Sequence, residues 1–218
     1  MTLFERDERA VGASIRNFGL LWPVGQPASH YDRAMRSREI WLDVLKRSGA
    51  WHHESGSLHL VRHADEQDVL DEYLATSPHA VDNGVRMLTP AEVEGMSQVA
   101  TTDGLRAALW SPTEINVDPR TAIPAVWRVL AEDFGVDVRR GTAVHAVGGG
   151  GLDTTAGRWN AARVVVCSGN EFQALYPEVF VESGIRRCKL QMMRTVRQPG
   201  GWELGPTLYA GLTLLHYG

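Results

Sequence analysis

The clearest periodicity in the chain lies between residues 118 and 135, where Ile123, Val126, Trp127, Leu130 and Phe134 recur at spacings of three and four. That spacing places them on one face of a helix. Asp118 followed by Pro119 suits a helix start, since the carboxylate can accept from unpaired amides and proline needs no donor there. Gly135 suits the left-handed residue that ends it, and Pro124 removes one backbone bond and bends the first turns. Beyond Gly135 the period falls to two. Val136 and Val138, then Thr142, Val144 and Ala146, read as strands, and residues 148–151 followed by Leu152-Asp153-Thr154-Thr155 read as a hairpin turn and its return strand. Val164-Val165-Val166-Cys167 is a continuous apolar run, the pattern of a strand covered on both faces as in a parallel sheet.

The remaining segments are read in the same way. Thr2-Leu3-Phe4 is a short strand. Ser29 and Asp32 can cap a helix running to about Ser48, with Tyr31, Ala34, Met35, Leu42 and Leu45 near one face and Gly49 beyond its end. Its basic residues Arg33, Arg36, Arg38, Lys46 and Arg47 are interspersed with acids and read as a solvated face. Residues 51–53 and 58–62 are expected to form a hairpin around Ser55-Gly56-Ser57. A second helix is expected over 65–76. Thr89-Pro90-Ala91-Glu92 is a capping box opening a short helix to about Glu94. A strand is expected over 105–110, a single helical turn over 172–176, and two further strands over 185–196 and 208–217.

Composition narrows the class. At 218 residues the chain can bury a substantial core in one large or two small domains. With 44% hydrophobic and 22% charged residues it has an ordinary globular composition, and a net charge of −4 gives no general attraction to nucleic acid or an anionic membrane. Two cysteines are too few for a disulfide framework, which fits a reducing cytoplasm. No apolar run approaches the ~18 residues of a membrane span. The acids near Met1 are unlike a secretory leader. No internal repeat or low-complexity linker marks a domain boundary.

Candidate chemistry is sparse when residues are taken singly. The glycines at 148–151 lie between strands and not before a helix, so they read as a plain turn and not as a phosphate cradle. Ser168-Gly169 follows the valine run. Small residues at the carboxyl end of a buried parallel strand let a ligand approach the backbone, although an ordinary strand exit has the same spacing. Glu5 alone is a surface acid. His59 and His63 fall on one side of a strand but have no third metal ligand close in sequence, so a metal-dependent hydrolase has little support.

Several segments in order nevertheless resemble a known family. Glu5-Arg6, Ala13-Ser14-Ile15-Arg16-Asn17-Phe18-Gly19, Asn116-Val117-Asp118-Pro119-Arg120, residues 164–169 and Lys189-Leu190-Gln191-Met192 are similar to the FAD-dependent amine and amino-acid oxidoreductases, the relatives of D-amino-acid oxidase, glycine oxidase and sarcosine oxidase. Ser14 to Gly19 with Trp22-Pro23, and Gly211-Leu212-Thr213-Leu214-Leu215-His216-Tyr217, resemble more narrowly a bacterial subgroup associated with aminophosphonate breakdown. The strand, G-x-G-x-x-G turn and helix that open such proteins, and the strands and helix that close them, are not found here, so the chain is expected to be the middle of a longer enzyme.

The resemblance implies an α/β (α+β) fold, with a partial FAD-binding Rossmann-like domain over 1–48 and 112–176 interleaved with a partial antiparallel-sheet substrate domain over 49–111 and 177–218. It implies FAD as cofactor. Glu5 would bond the adenosine ribose, with Arg6 beside it. Ser14, Arg16 and Asn17 would lie along the pyrophosphate and flavin, Val144 would meet adenine through its backbone, and Ser168 and Gly169 would pass close to the cofactor. Gln191, His216 and Tyr217 would stand on the substrate side. The implied reaction is hydride transfer from the carbon beside an amine to flavin, with a small amine, amino acid or aminophosphonate as substrate. The alternative is an incomplete, non-catalytic flavoprotein fragment.

Overall fold

The computed structural model describes every residue except Leu190, Met192, Arg197, Trp202, Tyr217 and Gly218. In chain order its elements are β1 (Thr2–Phe4), β2 (Leu20–Leu21), α1 (Tyr31–Ser48), β3 (His52–His53), β4 (Ser57–Val61), α2 (Ala64–Thr76), α3 (Pro78–Asp82), β5 (Arg86–Leu88), α4 (Pro90–Met96), β6 (Ala107–Ser111), β7 (Ile115–Val117), α5 (Pro119–Glu132), β8 (Asp137–Arg139), β9 (Val144–Gly148), β10 (Gly151–Thr154), β11 (Gly157–Asn160), α6 (Pro177–Ser183) and β12 (Thr207–Ala210). Parallel and antiparallel pairings both occur, as the mixed α/β expectation requires. The chain packs as two compact units, one of residues 1–18 and 119–193, the other of residues 19–118 and 194–218. Residues 19–48 belong to the second of these units.

In the first unit β1 lies parallel to β8, with Leu3 opposite Val138. The expected α5 precedes β8, carries Pro124 internally and buries Ala122, Ala125 and Val129. The hairpin expected at the glycine run is β9–β10, extended by β11 into a three-stranded antiparallel sheet. Phe4 of β1 meets Trp159 of β11 edge to face at 5.2 Å, and the Arg139 guanidinium lies 5.4 Å from the same indole.

The second unit is built on the sheet β12-β4-β6-β5, in which β12 runs parallel to β4 and the other pairs are antiparallel. Alternate residues of a strand face opposite sides. On one side Val61 and Leu109 pack with Tyr31, Leu70 and Ala80; on the other Leu58, Leu88 and Ala108 pack with Val93. Both faces are covered, and fully burying each of these valines and leucines contributes about 1.5–3 kcal/mol. A second sheet, β2-β7-β3, is antiparallel throughout. The capping box is present as read: Thr89 Oγ1 accepts from the Glu92 amide while the Glu92 carboxylate accepts from the Thr89 amide.

Five expectations differ. Residues 164–167 form no strand, and Val164, Val165 and Val166 are 37%, 84% and 41% exposed. A buried parallel strand needs partners at its edges and layers on both faces, and no described strand pairs with this run. Residues 51–62 do not form a hairpin, because β3 pairs with β7 while β4 pairs with β6 and β12. Gly56 makes the passage between the two sheets at φ +66°, with the Trp110 ring and Ser111 carbonyl standing where a Cβ would be. The described residues of 185–196 are exposed and form no strand, and the helical turn falls later, at α6. The last expected strand is split into β12 and a 3-10 helix over Gly211–His216.

Candidate cofactor site

The loop leaving β1 is held from both sides by the segment after β8. The Glu5 amide donates to the Arg139 carbonyl at 2.8 Å, the Thr142 amide donates to the Glu5 carbonyl at 2.9 Å, and the Gly141 amide donates to the Asp7 carbonyl at 3.3 Å. These bonds fix where the Glu5 side chain emerges. One of its carboxylate oxygens, Oε1, accepts from the Asp7 amide at 3.0 Å, so the group is oriented while its second oxygen makes no hydrogen bond among the described residues. Thr142 leads into β9, so the same bond sets Val144 two residues from the Glu5 contact. β9 is an outer strand of its sheet, which leaves one backbone edge of Val144 without a strand partner among the described residues.

Arg6 connects this loop to the turn after the valine run. Its Nη1 lies 2.8 Å from Glu171 Oε2, and its Nη2 is 3.5 Å from Asp7. The Ser168 hydroxyl donates to the Glu171 carbonyl at 3.3 Å, and the Glu171 amide donates to the Ser168 carbonyl at 3.1 Å. The Gln173 amide and the Arg6 guanidinium hold the Glu171 carboxyl below its usual range, and hydrogen bonding to Glu171 raises the Arg6 guanidinium. Gly169 sits at φ +60° with open space where a side chain would begin. Glu5 and Arg6 are thus linked through Glu171 to Ser168, with Val144 two residues beyond Thr142 and Gly169 next to Ser168 in the chain.

Ser14, Arg16 and Asn17 form a second group on the same unit: Ser14 ends the 3-10 helix Gly12–Ser14, which packs against α5, and Arg16 and Asn17 lie in the turn after it. Asn17 Nδ2 donates to the Ala13 and Ser14 carbonyls at 3.2 and 3.0 Å, so its amide closes the turn. Ser14 and Arg16 are exposed, and the Arg16 guanidinium makes no ion pair or hydrogen bond among the described residues.

The substrate-side candidates fall on different parts of the chain. Gln191 is exposed in a segment without regular structure, in the first unit. His216 ends the 3-10 helix of the second unit, and Tyr217 lies outside the described residues. Among the described residues no group of three or more His, Cys, Asp or Glu side chains is placed to hold a metal ion.

The burial and partners of two polar groups of the second unit were not legible in the sequence. Glu114 is fully buried, and its carboxylate accepts from the Val24 amide at 3.2 Å, the Thr113 hydroxyl at 3.0 Å and the Ser57 hydroxyl at 3.1 Å. His59, also fully buried, stacks on Tyr209 at 4.6 Å, and Tyr209 stacks on Trp22 at 5.0 Å. Burial pushes the His59 imidazole down to about 3, so it is neutral at physiological pH. Only the pairing of β4 with β12, far apart in sequence, could have disclosed that stack.

The residues of the first unit fit a dinucleotide chemically. An oriented acid with an oxygen to spare suits ribose hydroxyls. The Ser14 hydroxyl and the Arg16 guanidinium suit phosphate oxygens, and side-chain-free backbone at Gly169 admits close approach.

A model of the family described as FAD dependent oxidoreductase matches residues 1–214. No curated protein sequence matches. Among solved structures, glycine oxidase from Geobacillus kaustophilus is 23% identical with a TM-score of 0.66, over 85% of this chain and 52% of that one. L-amino acid deaminase from Proteus myxofaciens, solved in complex with anthranilate, is 18% identical with a TM-score of 0.67, over 79% and 40%. L-alpha-glycerophosphate oxidase from Mycoplasma pneumoniae, solved with FAD bound, is 14% identical with a TM-score of 0.69, over 100% and 60%. These likenesses are of fold, and the chain spans about half the length of the glycine oxidase. The family model, matching almost from end to end, settles the assignment: the chain belongs to the FAD-dependent oxidoreductase family.

Proposed function

We propose that this chain takes part in the FAD-dependent oxidation of a small amine, amino acid or aminophosphonate, and that its first unit carries the nucleotide side of the cofactor. The observation that supports this best is the Arg6–Glu171 pair, which holds the exit of β1 against the Ser168–Gly169 turn. Glu5 accepts from the ribose, Ser14 and Arg16 donate to the pyrophosphate, and the outer edge of Val144 receives adenine. Asn17 is a positioning residue, because its amide is committed to the turn that presents Ser14 and Arg16. Bound FAD supplies a two-electron acceptor. The protein's part is to bind, orient and exclude water. Gln191, His216 and Tyr217 are the residues we assign to the substrate side, and residues 49–111 and 177–218 form the substrate-binding part in this reading.

A second reading has these residues binding the nucleotide without turnover. It is favoured by the exposure of Val164, Val165 and Val166, which leaves the approach to Ser168 without a layer over it among the described residues. One experiment separates the two. Saturable FAD binding together with amine-dependent flavin bleaching under anaerobic conditions supports the first reading. Binding with no bleaching by any amine, amino acid or aminophosphonate supports the second.

A further inference from the structure

Glu114 stands one residue before β7, fully buried, and its carboxylate takes hydrogen bonds from neutral donors among the described residues. Oε1 accepts from the Val24 amide and the Thr113 hydroxyl, and Oε2 accepts from the Ser57 hydroxyl at 3.1 Å. Because Thr113 gives its proton to the carboxylate, the Ser111 hydroxyl, 3.0 Å away, gives its own to Thr113. Every hydroxyl proton of this group therefore points toward Glu114.

Ser57 has a second neighbour. Its Oγ lies 3.5 Å from His59 Nε2, two residues along β4 and on the same side of the strand. A serine hydroxyl carries one proton, and here that proton faces the carboxylate, so Nε2 is the donor of the pair. The neutral imidazole then holds its hydrogen on Nε2 and a bare lone pair on Nδ1. That Nδ1 is buried and has no hydrogen-bond partner among the described residues.

The two ends of this row treat a proton differently. Burial keeps the imidazole neutral, so a proton that reaches Nδ1 is not retained as imidazolium. At the other end an interior carboxylate with no hydrogen-bonded cation is costly to keep charged. The remaining ionisable groups facing the pair do not compete for the proton. Burial, reinforced by the Glu114 charge, pushes Tyr31 of α1 up to about 12 and pushes Tyr73 of α2 upward as well. Tyr209 of β12 is stacked on the His59 ring, and Arg38 of α1 is committed to the Thr113 carbonyl and Glu54.

We propose that His59, Ser57 and Glu114 form a buried proton relay whose hydrogen bonds reverse as a unit when acid enters it. A proton from water bonds to Nδ1, the Nε2–H bond breaks and its proton passes to Ser57 Oγ, and the proton the hydroxyl held before passes to Glu114 Oε2. One proton has been added and the carboxylate is neutral. The imidazole is neutral again, with its hydrogen moved from Nε2 to Nδ1, and the hydrogen bonds now run from Glu114 to His59. The relay lies in the second unit alone and does not depend on the flavin reading.

NMR of the 218-residue chain carrying isotope-labelled histidine and glutamate tests this. At about pH 8, where ordinary carboxylates and imidazoles are deprotonated, long-range proton–nitrogen correlations place the His59 hydrogen on Nε2. As the pH falls the hydrogen moves to Nδ1 with the same midpoint as the Glu114 carboxyl carbon shift, and no form with both nitrogens protonated builds up. Glu114→Gln fixes the acid form at every pH. The Val24 amide can only donate, so the glutamine oxygen stays on that side, its amide group donates to Ser57, and His59 carries its hydrogen on Nδ1. In Ser57→Ala the His59 tautomer no longer follows the Glu114 titration. The proposal is overturned if wild-type His59 holds its hydrogen on Nδ1 at about pH 8, if Glu114→Gln leaves it on Nε2, or if acid produces the imidazolium or unfolds the chain before the nitrogens exchange roles.

Discussion

The Arg6 guanidinium meets the Glu171 carboxylate at 2.8 Å across 165 positions of sequence. The pair joins two loops that the cofactor reading needs side by side, the exit of β1 and the turn after the valine run. Exposed ion pairs add little to global stability, so this one is better placed to set loop position than to hold the fold.

Glu171→Gln and Arg6→Gln are accordingly expected to leave the melting temperature nearly unchanged while weakening FAD about two- to fivefold. The double variant should lose no more than either single one. A double-mutant cycle on FAD affinity measures this coupling, and additive losses would show that the two side chains act separately.

Burial lowers the His59 imidazole to about 3, well under the ordinary value of a histidine. Between about pH 6.5 and pH 3 the unfolded chain therefore binds a proton that the folded chain refuses, so stability falls as pH falls through that window. The slope attributable to His59 is about 1.4 kcal/mol per pH unit. His59→Phe keeps a flat ring against Tyr209 and removes the titration. Urea unfolding of both proteins at several pH values should give a wild-type curve that drops more steeply below pH 6.5, and parallel curves would refute the assignment.

Removal of the Glu114 side chain leaves the Val24 amide and the Ser57 hydroxyl without the acceptor they use. Glu114→Ala is expected to cost about 2–5 kcal/mol, since each buried unpaired donor costs about 1–3 kcal/mol. Chemical denaturation checks this, and a loss under 1 kcal/mol would mean that the hydroxyls turn to other partners at little cost.

Gly25→Ala brings a methyl group into the Trp22 ring. The near-UV circular dichroism should change as the indole leaves Tyr209, with a stability loss of about 1–3 kcal/mol from overpacking. An unaltered spectrum would show that the ring is not held where the stack puts it.

Local chemistry was the part of the fold that could be read directly. Asp118-Pro119 and Gly135 bracket α5, and Thr89 with Glu92 marks α4, because caps and breakers act within a few residues. Pairings between distant segments were not legible. An apolar run such as residues 164–167 states an appetite for neighbours but not whether they are there. Gly56 signals a turn equally well between paired strands and between two sheets. The cofactor residues were reached through the order of weak motifs, since nothing in the spacing of Glu5, Arg16 and Ser168 singles them out. Glu114 was missed, and His59 was weighed only as a metal ligand, because the burial of a polar residue is not legible until its partners are known.

FAD titration into the 218-residue chain, followed by flavin fluorescence, tests the central claim most directly. The cofactor assignment predicts saturable binding in the micromolar range, weakened about tenfold by Glu5→Ala and by Arg16→Gln. Absence of saturation up to about 1 mM, or affinity indifferent to both substitutions, would contradict it.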